Sequence, residues 1–191
     1  MKTQEPVDTR LSTIEVQNVV ATSELGQEVD LETVAADLDR AEFTPEDFHG
    51  LKYHPESVTA TSLVFRSGKM TCTGAKSVEK VEEAITETTD AFRGLGIPVN
   101  SGGVTIQNIV SSANIGESLN LNAIAIGFGL EVVEYEPEQF PGLVYRPQES
   151  SIVTLLFGTG KSVITGARTH SDAEDGLKMV IETLEDLSLL G

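Results

Sequence analysis

The chain has 191 residues, a net charge of −17 and 39% hydrophobic residues, which is enough apolar content for one cored domain or two small ones. A single cysteine, Cys72, excludes an internal disulfide and any cysteine cluster for metal, and no apolar run approaches the ~18 residues of a membrane helix. The carboxylate surplus argues on its face against nucleic acid, because phosphate binding usually needs a basic footprint.

Residues 1–13, MKTQEPVDTRLST, have no apolar stretch of signal-peptide type and are expected to form a flexible tail. The lone cysteine fits a reduced, intracellular setting. A strand is expected at Ile14–Thr22, then a helix over Asp30–Arg40, where Leu31, Val34, Ala35 and Leu38 recur at helical spacing. Two strands follow, Thr59–Phe65 and Lys69–Thr73, joined by the hairpin signal Arg66-Ser67-Gly68. An amphipathic helix closes the half, with Val78, Val81, Ile85, Thr89 and Phe92 on one side.

The same order then recurs. A strand is expected at Val104–Ser112 and a helix from Asn120 with Leu121, Ile124 and Ala125. Strands at Ile152–Phe157 and Lys161–Thr165 flank a Gly158-Thr159-Gly160 turn, and Leu177, Val180, Ile181, Leu184 and Leu187 line a last helix. Sequential strands with helices at the ends of each unit predict an α+β fold, an antiparallel sheet covered on one face.

The recurrence extends to residue identity. Val16-Gln17-Asn18-Val19-Val20 returns as Ile106-Gln107-Asn108-Ile109-Val110, and GKMTCTGAK at Gly68–Lys76 returns as GKSVITGAR at Gly160–Arg168. Pro45/Pro137, Phe48/Phe140, Gly50/Gly142, Tyr53/Tyr145, Leu63/Leu155 and Phe65/Phe157 keep the same order. A unit of about ninety residues is duplicated, too long and too few in copies for a solenoid. Residues 14–100 and 101–191 are therefore expected as two pseudo-symmetric repeats of one composite domain.

Charge is distributed unevenly within each copy. Lys52, Arg66, Lys69 and Lys76 meet one acid, Glu56; Arg146, Lys161 and Arg168 meet one, Glu149. The closing helices are strongly acidic, with Glu79, Glu82, Glu83, Glu87 and Asp90 in the first. Strand alternation separates two faces. One carries Asn18, Val20, Leu63, Phe65, Thr71 and Thr73, repeated as Asn108, Val110, Leu155, Phe157, Val163 and Thr165. The other carries Val19, Val64, Met70 and Cys72, then Ile109, Leu156 and Ile164. If the helices lie on one side, the first face is an exposed, largely apolar surface that marks a binding site; a core covered on both sides is the other reading.

Chemistry-bearing motifs are weak. Gly158-Thr-Gly-Lys-Ser162 resembles the end of a phosphate-binding loop, but Leu155 stands where its first glycine is required and a β-prone run follows. His49, His54 and His170 lack zinc-ligand spacing, and no nucleophile–base–acid arrangement stands out, so no enzyme, cofactor or metal is expected.

QNVV/QNIV, FHGLKY/FPGLVYR, YEPEQFPG and the paired SGKMTCTGAK/GTGKSVITGAR together resemble the TATA-box-binding protein family over residues 14–190. The acidic balance points to an archaeal member from a high-salt cytoplasm. The resemblance implies a saddle: one curved antiparallel sheet with helices on the convex face and a DNA-binding underside. It implies binding and bending of A·T-rich promoter DNA through the minor groove, and recruitment of transcription factor B and the RNA polymerase machinery in the archaeal nucleoid. Minor-groove bending with inserted wedges is a known property of the family, not a reading of this chain.

Carried over by position, the resemblance makes Asn18 and Asn108 donors to the groove, helped by Thr73 and Thr165. Val20, Val110, Leu63, Leu155, Thr71 and Val163 pack against sugars and base edges. Phe48 with Phe65, and Phe140 with Phe157, are wedges. Lys69, Lys76, Lys161, Arg146 and Arg168 match phosphate contacts, and Glu136 and Glu138 lie in the loop that meets transcription factor B. Thr71 departs from the valine usual in the family, His54 stands opposite Arg146, and Glu46-Asp47 precede Phe48 where basic residues are common. The competing reading is a module that binds a peptide or hydrophobic ligand on its sheet without DNA. An exposed apolar face also leaves open self-association of the free chain.

Overall fold

The computed structural model describes residues 7–100 and 102–190. The elements run α1 (Val7–Leu11), β1 (Glu15–Glu24), α2 (Leu31–Asp37), β2 (Ala41–Glu42), β3 (Gly50–Tyr53), β4 (Thr61–Phe65), β5 (Lys69–Ala75) and α3 (Val78–Gly94). The order then repeats as β6 (Thr105–Asn114), α4 (Leu121–Phe128), β7 (Val133–Glu134), β8 (Gly142–Tyr145), β9 (Val153–Phe157), β10 (Lys161–Ala167) and α5 (His170–Asp186). The strands form one antiparallel sheet in the order β2-β3-β4-β5-β1-β6-β10-β9-β8-β7.

By contacts the chain divides into two units, Asn18–Asn108, and Ile109–Gly191 with Met1–Gln17. This division differs from the repeat boundaries expected at 14–100 and 101–191. The reason is local: Gln17 at the start of β1 donates its amide to the Ser112 hydroxyl at 2.8 Å, so the first turn of the strand belongs with β6. In the same way Gln107 donates to Thr22 at 2.8 Å.

In the unit Asn18–Asn108, α3 packs on β5 and β4. Its Val81, Ala84, Ile85 and Phe92 are buried against Val19, Val64, Met70 and Cys72, all essentially without solvent exposure. Ser77 starts the helix by accepting the Lys80 N–H, and the buried Ser62 and Thr88 hydroxyls, 2.7 Å apart, satisfy each other. In the other unit α5 packs on β10 and β9, with Leu177, Val180, Ile181 and Leu184 over Ile109, Leu156 and Ile164. Thr169 and Asp172 form a capping box at its start. Asp172 also accepts the Arg168 and Thr169 N–H groups, both at 2.8 Å, and these bonds hold its carboxyl below the usual carboxylate range. Burying a full Leu or Ile side chain contributes about 1.5–3 kcal/mol, so these two layers hold most of the folding energy.

Three expectations need correction. Residues 7–11, expected within a flexible tail, form α1, because Arg10 is only 2% exposed and ion-paired to Glu117 at 3.0 Å and Glu185 at 3.4 Å. Residues 1–6 of that tail lie outside the described residues. The helix expected over Asp30–Arg40 is shorter: Asp30 is its N-cap and Leu38 its C-cap. Leu187, placed on the apolar stripe of the last helix, is its C-cap and 41% exposed.

Candidate nucleic-acid interface

With α3 and α5 on one face, alternation leaves the other face of each sheet open. In the unit Asn18–Asn108 that face carries Asn18, Val20, Leu63, Phe65, Thr71 and Thr73, each half-buried while its strand neighbours Val19, Val64, Met70 and Cys72 are fully buried. In the other unit Val110, Leu155, Phe157, Val163 and Thr165 sit the same way, and Asn108, two residues before Val110 on β6, is also half-buried. The choice between a two-sided core and an exposed apolar face therefore falls to the exposed face.

Asn18 is held in a defined orientation. Its side-chain oxygen accepts the Gly74 N–H at 2.7 Å, and its amide nitrogen donates to the Thr73 hydroxyl at 3.1 Å. The oxygen is turned into the strand, which leaves one N–H of the same nitrogen to donate outward. Asn108, Thr165 and Gly166 occupy the matching positions.

At the far end of each face two phenylalanines meet edge to face. Phe48 and Phe65 have ring centroids 5.8 Å apart, and Phe140 and Phe157 5.9 Å apart. One glycine makes each pair possible. A Cβ on Gly50 would lie 2.6 Å from the Phe48 ring and 3.1 Å from Phe65; on Gly142 it would lie 2.7 Å and 3.0 Å from Phe140 and Phe157. A one-turn loop sets the first ring of each pair, with the Phe48 N–H bonded to Thr44 and the Phe140 N–H to Glu136, both at 3.0 Å. Phe140 remains 39% exposed although it is a large apolar ring, so it fills no core.

The Gly-Lys turns that open β5 and β10 serve the same face. Gly68 and Gly160 have φ of 80° and 85° and lie against the backbone carbonyls of Gln27 and Glu117, where no side chain fits. Leu25 and Ile115 donate to the carbonyls of these two glycines, both at 2.8 Å, which ties each turn to the end of the long strand. Lys69 and Lys161 follow directly, exposed at the edge of the open face.

The cations split by location. On the helices Lys80, Arg93 and Lys178 are paired with Glu83, Asp90 and Glu182. Among the described residues Lys69, Lys76 and Lys161 make no ion pair within the protein, whereas Arg146 is engaged by Glu134 at 3.1 Å. Lys52, which the resemblance did not single out, sits 5.9 Å above the Phe48 ring. Its signal was its place in FHGLKY, on a strand that the loop-like sequence concealed. Arg168 and Lys76 are exposed just beyond the ends of β10 and β5. Glu136 and Glu138 are exposed in the β7–β8 loop. His54 hydrogen-bonds the Thr61 hydroxyl at 3.3 Å, so it is not a free counterpart of Arg146.

Burial pushes the Cys72 thiol up, away from reactivity, and among the described residues no His, Cys, Asp and Glu group could hold a metal. Among the same residues no helix is long and apolar enough to cross a membrane.

The profile of the family "Transcription factor TFIID (or TATA-binding protein, TBP)" matches twice, at residues 13–95 and 103–187. The chain belongs to the TATA-box-binding protein family. It is 55% identical over 179 residues to TATA-box-binding protein 2 of Haloferax volcanii, covering 93% of this chain and 96% of that one. It is 56% identical to TATA-box-binding protein F of Halobacterium salinarum with the same coverage. Its fold matches the solved Methanococcus jannaschii TBP with a TM-score of 0.80 at 45% identity, covering 91% of this chain and 98% of that one. These relatives are transcription factors rather than enzymes, and the first two come from halophilic archaea, in keeping with the acidic composition.

Proposed function

We propose that the chain is a general initiation factor that binds A·T-rich promoter DNA in the minor groove with the open sheet face of each unit. The observation that supports this most is the oriented Asn18 amide, a fixed donor on an otherwise apolar face. The minor groove of A·T pairs offers only acceptors, adenine N3 and thymine O2, with no exocyclic amine to hold a flat apolar surface away. Asn18 and Asn108 donate to these acceptors, and Val20, Leu63, Val110, Leu155 and Val163 pack on sugars and base edges. Phe48 with Phe65, and Phe140 with Phe157, enter base steps; the resulting bend is carried over from the family. Lys69, Lys76, Lys161, Arg146 and Arg168 meet phosphates, Arg146 by exchanging Glu134 for the duplex. Glu136 and Glu138 dock basic residues of transcription factor B, which brings RNA polymerase.

The test is a gel-shift titration with an A·T-rich promoter duplex and a scrambled control in molar potassium salt. Selective retardation of the A·T-rich duplex is expected. Equal binding to both, or to neither while the protein is folded, turns the reading toward the peptide-binding module. A sheet that binds peptides does not require an oriented amide donor or a phenylalanine pair at its end.

A further inference from the structure

The two open faces are alike in residue order and differ in two rows: Thr61, whose hydroxyl is engaged by His54, stands where the other unit has Val153, and a second row carries an unengaged hydroxyl. In the unit Asn18–Asn108, cross-strand pairing sets Lys52 opposite Leu63, Leu63 opposite Thr71, and Thr71 opposite Thr22. In the other unit the same row reads Val144, Leu155, Val163 and Ser112. The inner ends are equivalent, since Thr22 and Ser112 each accept a glutamine amide at 2.8 Å. The outer ends differ, exposed Lys52 against Val144, and the central difference is Thr71 against Val163, which are nearly the same shape. Thr71 has a hydroxyl where Val163 has a methyl group.

That hydroxyl is not used inside the protein. Thr71 is half-buried on the open face, and its side chain makes no hydrogen bond among the described residues. By contrast, the Thr73 hydroxyl serves Asn18 and the Thr61 hydroxyl faces His54. Guanine differs from adenine in the minor groove by its N2 amine, a donor. Against a valine methyl that donor loses water and gains nothing, the general reason an unpaired buried polar group is unfavourable. A threonine hydroxyl accepts from the amine through a lone pair, and against an A·T pair it turns its own hydrogen to the acceptor instead.

We propose that Thr71 makes the sheet face of its own unit tolerant of a guanine amine that the Val163 face rejects, so that the chain reads two unlike half-sites. The proposal rests on the minor-groove reading above. It concerns a specificity-determining residue, and it predicts which half of a promoter site admits G·C.

The experiment uses the full chain and a palindromic A·T duplex. G·C pairs are introduced at each position of one half, or at both symmetry-related positions, with loss of affinity measured against the same protein on the all-A·T duplex. A palindrome lets the protein bind either way round, so a single G·C can always be placed under Thr71. At one position the single substitution is expected to weaken binding less than about threefold and the double about tenfold or more, the usual range for a mismatched pair. In Thr71→Val the single substitution becomes as unfavourable as a rejected pair, about tenfold. In Val163→Thr the double substitution recovers most of its loss, a gain that misfolding cannot produce. Inosine in place of guanine removes the amine and should abolish the losses in all three proteins.

An unchanged single-to-double contrast in Thr71→Val, or no recovery in Val163→Thr, overturns the proposal. Loss of the contrast in the parent, with single and double substitutions equally harmful per pair, does the same. A parent that ignores the all-A·T duplex overturns the minor-groove reading itself, a different outcome.

Discussion

The Asn18 side-chain oxygen accepts the Gly74 N–H at 2.7 Å, so the sheet's own backbone decides which end of the amide faces outward. A freely rotating asparagine would offer donor and acceptor alike. This one offers a donor, and a donor has partners in the minor groove of A·T or T·A in either orientation.

Groove choice follows from that relationship. Replacing T·A by inosine·cytosine preserves the minor-groove face and changes the major-groove face, so binding should survive the exchange. Affinities measured by titration on the two duplexes should agree within about threefold, whereas a mismatched pair typically costs about 1–3 kcal/mol. A loss equal to that from G·C would assign readout to the major groove.

The phenylalanine pair gives a second expectation. Phe140→Ala with Phe157→Ala removes rings that fill no core, so circular dichroism and melting should change little. Bending, read by energy transfer between dyes at the duplex ends, should fall and the complex should weaken by at least about tenfold, since each wedge offsets an unstacking cost of a few kcal/mol. Bending equal to that of the parent would remove these residues from the interface.

Reversing Glu136 and Glu138 to lysine tests the partner loop. Both are exposed, and their backbone turn is formed by the Gln139 and Phe140 N–H groups on the Glu136 carbonyl, which substitution leaves intact. The binary DNA complex should persist, and the ternary complex with transcription factor B should disappear in a supershift assay. An intact ternary complex would leave the two acids as solvated loop residues.

Asp172 gives a pH-dependent expectation. Its two 2.8 Å bonds from Arg168 and Thr169 exist for the carboxylate and hold its folded pKa below the ordinary value of 3.8. The stability it contributes is present above that value and is lost as pH falls through the depressed one. Asp172→Asn should lower stability at neutral pH by about 0.5–1 kcal/mol, the low end of a helix cap, because the site is open to solvent. In acid titrations of unfolding the difference between parent and variant should close as pH falls through the depressed folded pKa. A gap that persists there would attribute the effect to something other than the charge.

Salt dependence should depart from that of an ordinary DNA-binding protein. Phosphate contacts through Lys and Arg release counterions, and log K falls with log salt at about −0.9 per neutralised phosphate. Here few free cations face the duplex, and the exposed carboxylates Glu46, Asp47, Glu56, Glu136 and Glu138 lie on the flanking loops. At molar salt a Debye length of roughly 3 Å screens their repulsion, and cations held between carboxylate and phosphate oppose the release. Affinity for an A·T-rich site should be flat or rising from low to molar potassium chloride, and folding itself should need salt. Calorimetric titrations with circular dichroism at each salt separate the two; a steep decline with the fold intact would contradict this account of the −17 charge.

Much of the fold and the site was legible in the sequence because duplication supplied an internal comparison. Asn18 and Asn108, or Phe65 and Phe157, identify each other as paired positions by residue order alone, and period-two alternation sorts them from Val19 and Ile109. The wedge partners were legible only through the resemblance, since Phe48 and Phe140 sit in loops without periodicity. The short strands Gly50–Tyr53 and Gly142–Tyr145 were not legible at all, because four residues beginning with glycine give no alternation to count. Gly50 and Gly142 read as turn residues; their use, as gaps that two rings occupy, depends on contacts made across strands. The ion pair of Arg10 with Glu117 and Glu185 was invisible for the same reason, with partners more than a hundred residues apart.

Arg10 also constrains the order in which the molecule can be completed. One of its two carboxylate partners, Glu185, is synthesised 175 residues after it. While the rest of the chain is being made, the arginine has no pocket, and α1 has no α5 to rest on. The anchoring of α1 therefore waits for α5, and a polypeptide cut short before α5 would leave α1 unanchored for proteases to find.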